Sequence, residues 1–192
     1  MKKKQGILFF VAILAIATIA IYFWATNLLK GVEEDDRKSA TIAPAIRNIF
    51  SQSHHIDDYP YQPAAPEWEG NYLILENTYS DSMSVRYSAK WNELLGSDKN
   101  FPGKEAKGVV IIETKVDIEA SFEGTLGIPT DTKAMRRSYI ISYFDIARKA
   151  ILARDTLVGE DPPKTIRRGQ SGAGAAPADD LVLRKIKQRI RH

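Results

Sequence analysis

The stretch "FDIARKAILARDTLVGEDPPKTI", Phe144–Ile166, supports two incompatible readings, and the fold class depends on the choice. Its middle, "ARKAILAR", consists of good helix formers. Its flanks read differently. One apolar run leads up to Asp145, and a second stops at Gly159, ahead of Pro162 and Pro163, which cannot continue a helix or a central ladder. Asp145 also offers an acceptor side chain where a turn backbone needs one. Propensity alone leaves a helix over residues 146–157 and a hairpin evenly matched. The neighbours favour two strands joined by a turn around Ala147–Ala150. On that reading Lys149→Pro costs little, provided the local backbone angle suits proline, whereas a helix interior would lose ~3 kcal/mol or more.

Working outward, "KGVVIIETKVDIEASF" (residues 107–122) is the strongest strand signal, because Val109, Val110, Ile111 and Ile112 are all β-branched. "NYLILENTYS" (71–80) alternates and reads as the first strand of the domain. The stretch between them reads as loop, with one short element around Ser84–Leu95. Gly124, Gly127 and Pro129 punctuate a turn before a strand centred on Tyr139–Phe144.

Tyr139 to Asp145, Ala153-Arg154, Gly159, Pro162-Pro163 and Ile166 together make an apolar strand ending in Asp, a turn, and a second strand closed by Gly-x-x-Pro-Pro-x-x-Ile. With the tail "GQSGAGAAPADDLVLRKIKQRI", this resembles a loosely defined group of uncharacterised bacterial envelope proteins. The resemblance spans roughly residues 71 to 190. It implies a signal or membrane anchor ahead of a small β-rich domain that ends in this hairpin, and no activity. The polybasic end departs from the group's pattern.

At the other end of the chain, no charged residue occurs from Gln5 to Leu29. A helix over residues 6–29 would be ~36 Å long, enough to cross a ~30 Å hydrocarbon core with some tilt. "MKKK" followed by Ala15-Ile16-Ala17 also fits a cleaved signal peptide, but the apolar run continues to Trp24, which favours a retained anchor. The compact basic cluster before the run places the N-terminus in the cytoplasm and the rest outside the inner membrane. Lys2, Lys3 and Lys4 account for the whole formal charge of +3, so the remainder carries no basic excess that would point to nucleic acid. With no cysteine, a disulfide framework and a lipid-modified cysteine are both excluded.

The expected organisation follows. Residues 1–5 form a cytoplasmic basic tail, 6–29 a transmembrane helix, and 30–65 a charged stalk and proline-containing linker. Residues 66–168 form an extracytoplasmic domain, 169–178 a flexible Gly/Ala linker, and 179–192 a basic amphipathic helix. The expected fold class is α+β: a single transmembrane helix, a small and mainly antiparallel β-sheet domain, and a C-terminal helix.

Few residues suggest chemistry. His54, His55, Asp57 and Asp58 are the one cluster of metal-ligand types, though adjacent histidines in a linker point apart and the cluster also reads as solvated polar chain. "GQSGAGAAP" lacks the lysine of a phosphate-binding loop. Asp117, Glu119 and Glu123 alternate on a strand, as a solvent face would, and Ser80, Ser82 and Ser84 lack a nucleophile context. In the tail, Val182, Ile186 and Ile190 form a stripe among Arg184, Lys185, Lys187, Arg189 and Arg191. That pattern fits a helix closing a sheet, or a segment binding anionic lipid headgroups. The sequence therefore leads to a membrane-anchored, non-catalytic binding or structural domain. It needs no cofactor, and its partners are the bilayer, anionic headgroups or another envelope protein. The alternatives are an anchored, metal-dependent enzyme, or a cytoplasm-facing protein whose basic tail binds lipid or nucleic acid.

Overall fold

The computed structural model describes residues 22, 26, 33, 36–50, 55–68, 70–77, 85–97, 106–123, 129–166 and 172–190. The chain divides into two compact units, Met1–Ala40 and Thr41–His192. Of the first, the described residues are helical, and the Thr26 hydroxyl donates to the Tyr22 carbonyl at 2.7 Å.

The membrane-crossing helix expected over residues 6–29 is corrected here. Among the described residues no helix is long and apolar enough to cross a membrane. Only Tyr22 and Thr26 of that stretch are described. The helical run that is described, residues 36–49, carries Asp36, Arg37, Lys38 and Arg47. Charges in that number are too costly for a hydrocarbon core.

The second unit is an α+β fold built on one five-stranded sheet. Its strands are β1 (Tyr72–Asn77), β2 (Val85–Tyr87), β3 (Gly108–Glu123), β4 (Pro129–Asp145) and β5 (Ala150–Val158), in the order β2-β1-β3-β4-β5. The expected mainly antiparallel sheet is mixed: β1 and β3 run parallel, and the other three pairings are antiparallel. The helices are α1 (residues 41–49 of the helical run), α2 (Ala89–Leu95) and α3 (Asp179–Arg189).

The opening stretch is a hairpin. β4 ends at Asp145, residues 146–149 turn, and β5 begins at Ala150. The Asp145 carboxylate accepts the Arg148 N–H at 2.8 Å, as an Asx-type turn requires. Helix propensity loses because both strands bury large side chains on the sheet. Ile141, Tyr143, Leu152 and Ala153 face one core, while Phe144 and Ile151 face the other. A register shift at Tyr143/Phe144 gives β5 one extra residue, which places Leu152 and Ala153 on the same face.

Both faces of the sheet are covered, which explains why "LIL" and "VVII" are continuous apolar runs rather than alternating ones. α2 and α3 cover one face, with Val182 and Ile186 fully buried and Ile190 1% exposed. The segment 42–59 covers the other with Ile42, Ile46, Phe50, Ile56 and Tyr59. There Phe50, Tyr59 and Phe144 pack as a trio with ring centroids 4.9 to 5.9 Å apart. The described residues between 41 and 59, part of the stretch read from its charges and prolines as stalk and linker, thus form one layer of the core.

The proline segment also guards a sheet edge. Ile151 N–H donates to the Pro60 carbonyl, and Gln62 and Ala64 donate to the carbonyls of Ile151 and Leu152. The donors are the non-proline residues, so proline's missing N–H does no harm here. Glycines do the same work at the β4 edge. Gly172 accepts from Met135 N–H, and Gly174 donates to the Met135 carbonyl. A Cβ on Gly174 would sit 2.1 Å from the Glu160 carbonyl oxygen. The expected flexible linker is therefore, over residues 172–178, an ordered strap in which glycine permits close backbone approach.

Candidate functional site

Parallel pairing aligns the points at which β1 and β3 turn polar. Glu76 lies opposite Ile112, and Asn77 opposite Glu113, so two apolar runs end side by side in acid and amide groups. β2 sets Arg86 across from Glu76, and β4 sets Tyr139 across from Thr114. Together with Trp91 of α2, these residues enclose a cleft of about 420 Å³, lined by Glu76, Asn77, Arg86, Trp91, Ile112, Thr114 and Tyr139. The size is that of a small-ligand site.

The cleft wall is held by buried polar contacts. Asn92, fully buried on α2, donates to the Ile74 and Ser88 carbonyls at 2.7 and 2.6 Å. Its oxygen accepts from Ile74 N–H and the Ser97 hydroxyl, both at 2.9 Å. All four hydrogen bonds of the amide are made, which fixes α2 to β1. Ser88 precedes α2 but does not cap it, because its hydroxyl donates to Glu76 at 2.9 Å. Asn77, 4% exposed, donates to Glu113 at 2.8 Å, and its own Oδ1 is buried without a hydrogen-bond partner. The Asn77 and Glu113 side chains lie on the face of Leu73, Leu75 and Ile111, opposite that of Ile112 and Trp91, so this pair backs the cleft and does not face into it. Trp91 is 2% exposed, and Lys90 lies over its ring with Nζ 4.4 Å from the centroid.

A second, smaller hollow of about 250 Å³ is lined by Asp57, Tyr59, Tyr61, Ile151 and Arg154. It contains part of the histidine–aspartate cluster, and each described member has a separate task. Asp57 pairs with Arg154 at 2.6 Å. Asp58 accepts the His55 backbone N–H at 3.1 Å, at the start of the short 3-10 turn Ile56–Asp58. His54 lies outside the described residues. Among the described residues no group of three or more His, Cys, Asp or Glu is placed to hold a metal ion.

The basic tail is likewise committed to structure. The Val182, Ile186 and Ile190 stripe packs on the sheet, which removes the apolar face that a lipid-binding helix would present. Arg184 pairs with Asp180 one turn back. Arg189 makes two hydrogen bonds to Asp155, at 3.0 and 2.9 Å, and Lys185 stands 3.5 Å from the same carboxylate. Lys187 borders a shallow hollow on the outer side of α3, and Arg191 lies outside the described residues. Burial pushes the Asp155 pKa upward, but the Arg189 and Lys185 contacts outweigh it and hold the carboxyl below its usual range. Burial first, and the Asp155 charge second, push the neighbouring Tyr143 hydroxyl far above the usual tyrosine range. No partner within hydrogen-bond geometry meets that hydroxyl.

Asp117 and Glu119, the described members of the candidate strand carboxylates, each pair with a base. Asp117 pairs with Lys115 at 3.0 Å, and Glu119 with Arg136 at 2.8 Å. The Glu123 side chain and Ser80, Ser82 and Ser84 lie outside the described residues. The sequence reading missed the Glu76–Arg86–Tyr139 cleft. Its one legible signal was the abrupt polar end of "YLIL" and of "VVII", which gains meaning only once the two runs are known to be parallel neighbours.

The chain matches no family model, no curated protein and no solved structure.

Proposed function

We propose that the second unit is a non-catalytic binding domain, and that its ligand is a small polar molecule held in the cleft between α2 and strands β1–β4. The observation that carries this reading is the cleft itself, about 420 Å³ in volume, in which Glu76, Arg86, Trp91, Thr114 and Tyr139 meet at the aligned polar ends of β1 and β3. Glu76 and Arg86 supply charges of both signs on adjacent strands, and Trp91 and Tyr139 supply ring surface. Such a site suits a molecule with several hydrogen-bonding groups on a compact carbon frame, the chemistry of sugars and amino acids.

Thermal unfolding of the full chain against a panel of monosaccharides, amino acids and small amines tests the reading, with isothermal titration on any hit. Arg86→Trp, an exposed position on edge strand β2, fills the cleft without touching the core. The expected result is saturable binding in the parent and none in R86W. Binding that survives R86W unchanged, or a panel with no saturable member, overturns the assignment.

A further inference from the structure

Among the described residues that line the cleft, Glu76 is the one acid. Strand alternation puts its side chain on the same face as Ile74, which is fully buried beneath the helices two residues earlier. Glu76 is exposed, so the carboxylate stands where that cover ends. The Ser88 hydroxyl donates to it at 2.9 Å, which holds it towards the α2 side of the cleft. Among the described residues no base pairs with it. Register sets Arg86 opposite Glu76 on β2, yet the two form no ion pair, and Lys90 of α2 is paired with Asp179 at 2.8 Å.

A carboxylate surrounded by water needs no counter-charge, because the high dielectric weakens its attraction for any one cation. Glu76 is placed differently. Ile112, 3% exposed, lies directly across from it on β3, and the Trp91 ring forms a second apolar wall. Low-dielectric walls of this kind focus the field of a charge into the space between them. The far side of the cleft is polar but uncharged. Thr114 lies one strand across from Glu76 and two residues further along, ~8 Å away along the sheet for a ~4.8 Å strand spacing and a ~3.3 Å rise. Tyr139 is its cross-strand partner on β4. Both side chains end in hydroxyls, which donate and accept.

We propose that the cleft selects a positively charged amine. The ammonium group sits on the Glu76 carboxylate, a short apolar frame lies on Ile112 and Trp91, and a hydroxyl or carbonyl at the far end meets Thr114 and Tyr139. A neutral sugar fills the same space but leaves the carboxylate without its counter-charge. This inference rests on the cleft being a binding site and narrows its ligand to one charge class.

Isothermal titration of the full chain with matched pairs tests it. The probes are tyramine, glucosamine, phenylalaninol and 4-aminobutanol, each beside its N-acetyl form, with glucose as an uncharged control. Acetylation removes the charge and keeps the frame. The expected result is saturable binding of at least one amine, with its N-acetyl form weaker by about tenfold or more, the value of one charged hydrogen bond. Glu76→Gln removes the charge while leaving an oxygen for Ser88. It should weaken that amine by about tenfold or more and leave the unfolding midpoint of the free chain unchanged. Glucose or an N-acetyl form binding as tightly as the amines overturns the charge assignment and leaves the cleft reading standing, as does an amine that binds E76Q as it binds the parent. No saturable binding by any of the compounds, charged or neutral, overturns both.

Discussion

Removing Arg189 should cost more than removing the carboxylate it holds. Asp155 is buried, with a side chain 6% exposed, whereas the Arg189 side chain is 45% exposed and that of Lys185 37%. Asp155→Asn leaves two half-exposed cations that water can solvate, and what is lost is the net value of charged hydrogen bonds, about 1.5–3 kcal/mol. Arg189→Met keeps the apolar stem but strands a carboxylate in the interior with only Lys185 near it, so the expected loss is about 3 kcal/mol or more. The pH dependence follows from the same geometry. In the parent the folded-state pKa of Asp155 lies below its unfolded value. Its contribution is therefore present above the unfolded pKa and is lost as pH falls through the folded one. With Arg189 and Lys185 both changed to Met, burial alone remains and raises the folded pKa above the unfolded value. Asp155 then contributes most below the unfolded pKa, and that contribution is lost as pH rises through the folded pKa. Urea denaturation of the three variants and the parent between pH 3 and about 7 reads both effects. A larger loss in D155N than in R189M, or a double variant whose pH slope matches the parent's, would refute the reasoning.

Lys149 has φ +48°, so Lys149→Pro should destabilise the domain by about 3 kcal/mol even though the segment is a hairpin, while Lys149→Gly should be neutral or stabilising by up to ~1 kcal/mol; chemical denaturation of both distinguishes this from a proline-tolerant turn. A Cβ on Gly108 would stand 2.0 Å from the Trp68 ring, so Gly108→Ala should displace that indole, visible as a red-shifted and quenched share of the tryptophan fluorescence, with a loss of about 1–3 kcal/mol. Asn92→Leu should cost about 1–3 kcal/mol in the same assay, because it takes the acceptor from the buried Ile74 N–H and one hydrogen bond each from the Ile74 carbonyl and the Ser97 hydroxyl. An unaltered unfolding midpoint would show that the amide is not what fixes α2 to β1.

The sequence by itself marked the strands around "LILE" and "VVII", favoured two strands over a helix within Phe144–Ile166, and offered a closing helix as one reading of the Val182–Ile186–Ile190 stripe. These are local matters: β-branched runs, a two- or 3.6-residue period, an Asp at a turn, and proline after a strand. The tertiary structure decided the rest. Parallel pairing of β1 with β3 aligned two polar strand ends into a cleft, and residues 108–112 gave no sign of their neighbour. Glycines 172 and 174 read as flexibility until a carbonyl was found where each Cβ would stand. The bases of α3 read as solvated or lipid-facing charges, and nothing in their spacing pointed to Asp155, which lies 34 residues away from Arg189 and accepts two hydrogen bonds from it. The angle at Lys149 made proline unacceptable in a turn that sequence rules would allow it. In each case the deciding partner is distant in the chain, and spacing along one segment carries no information about what another segment brings against it.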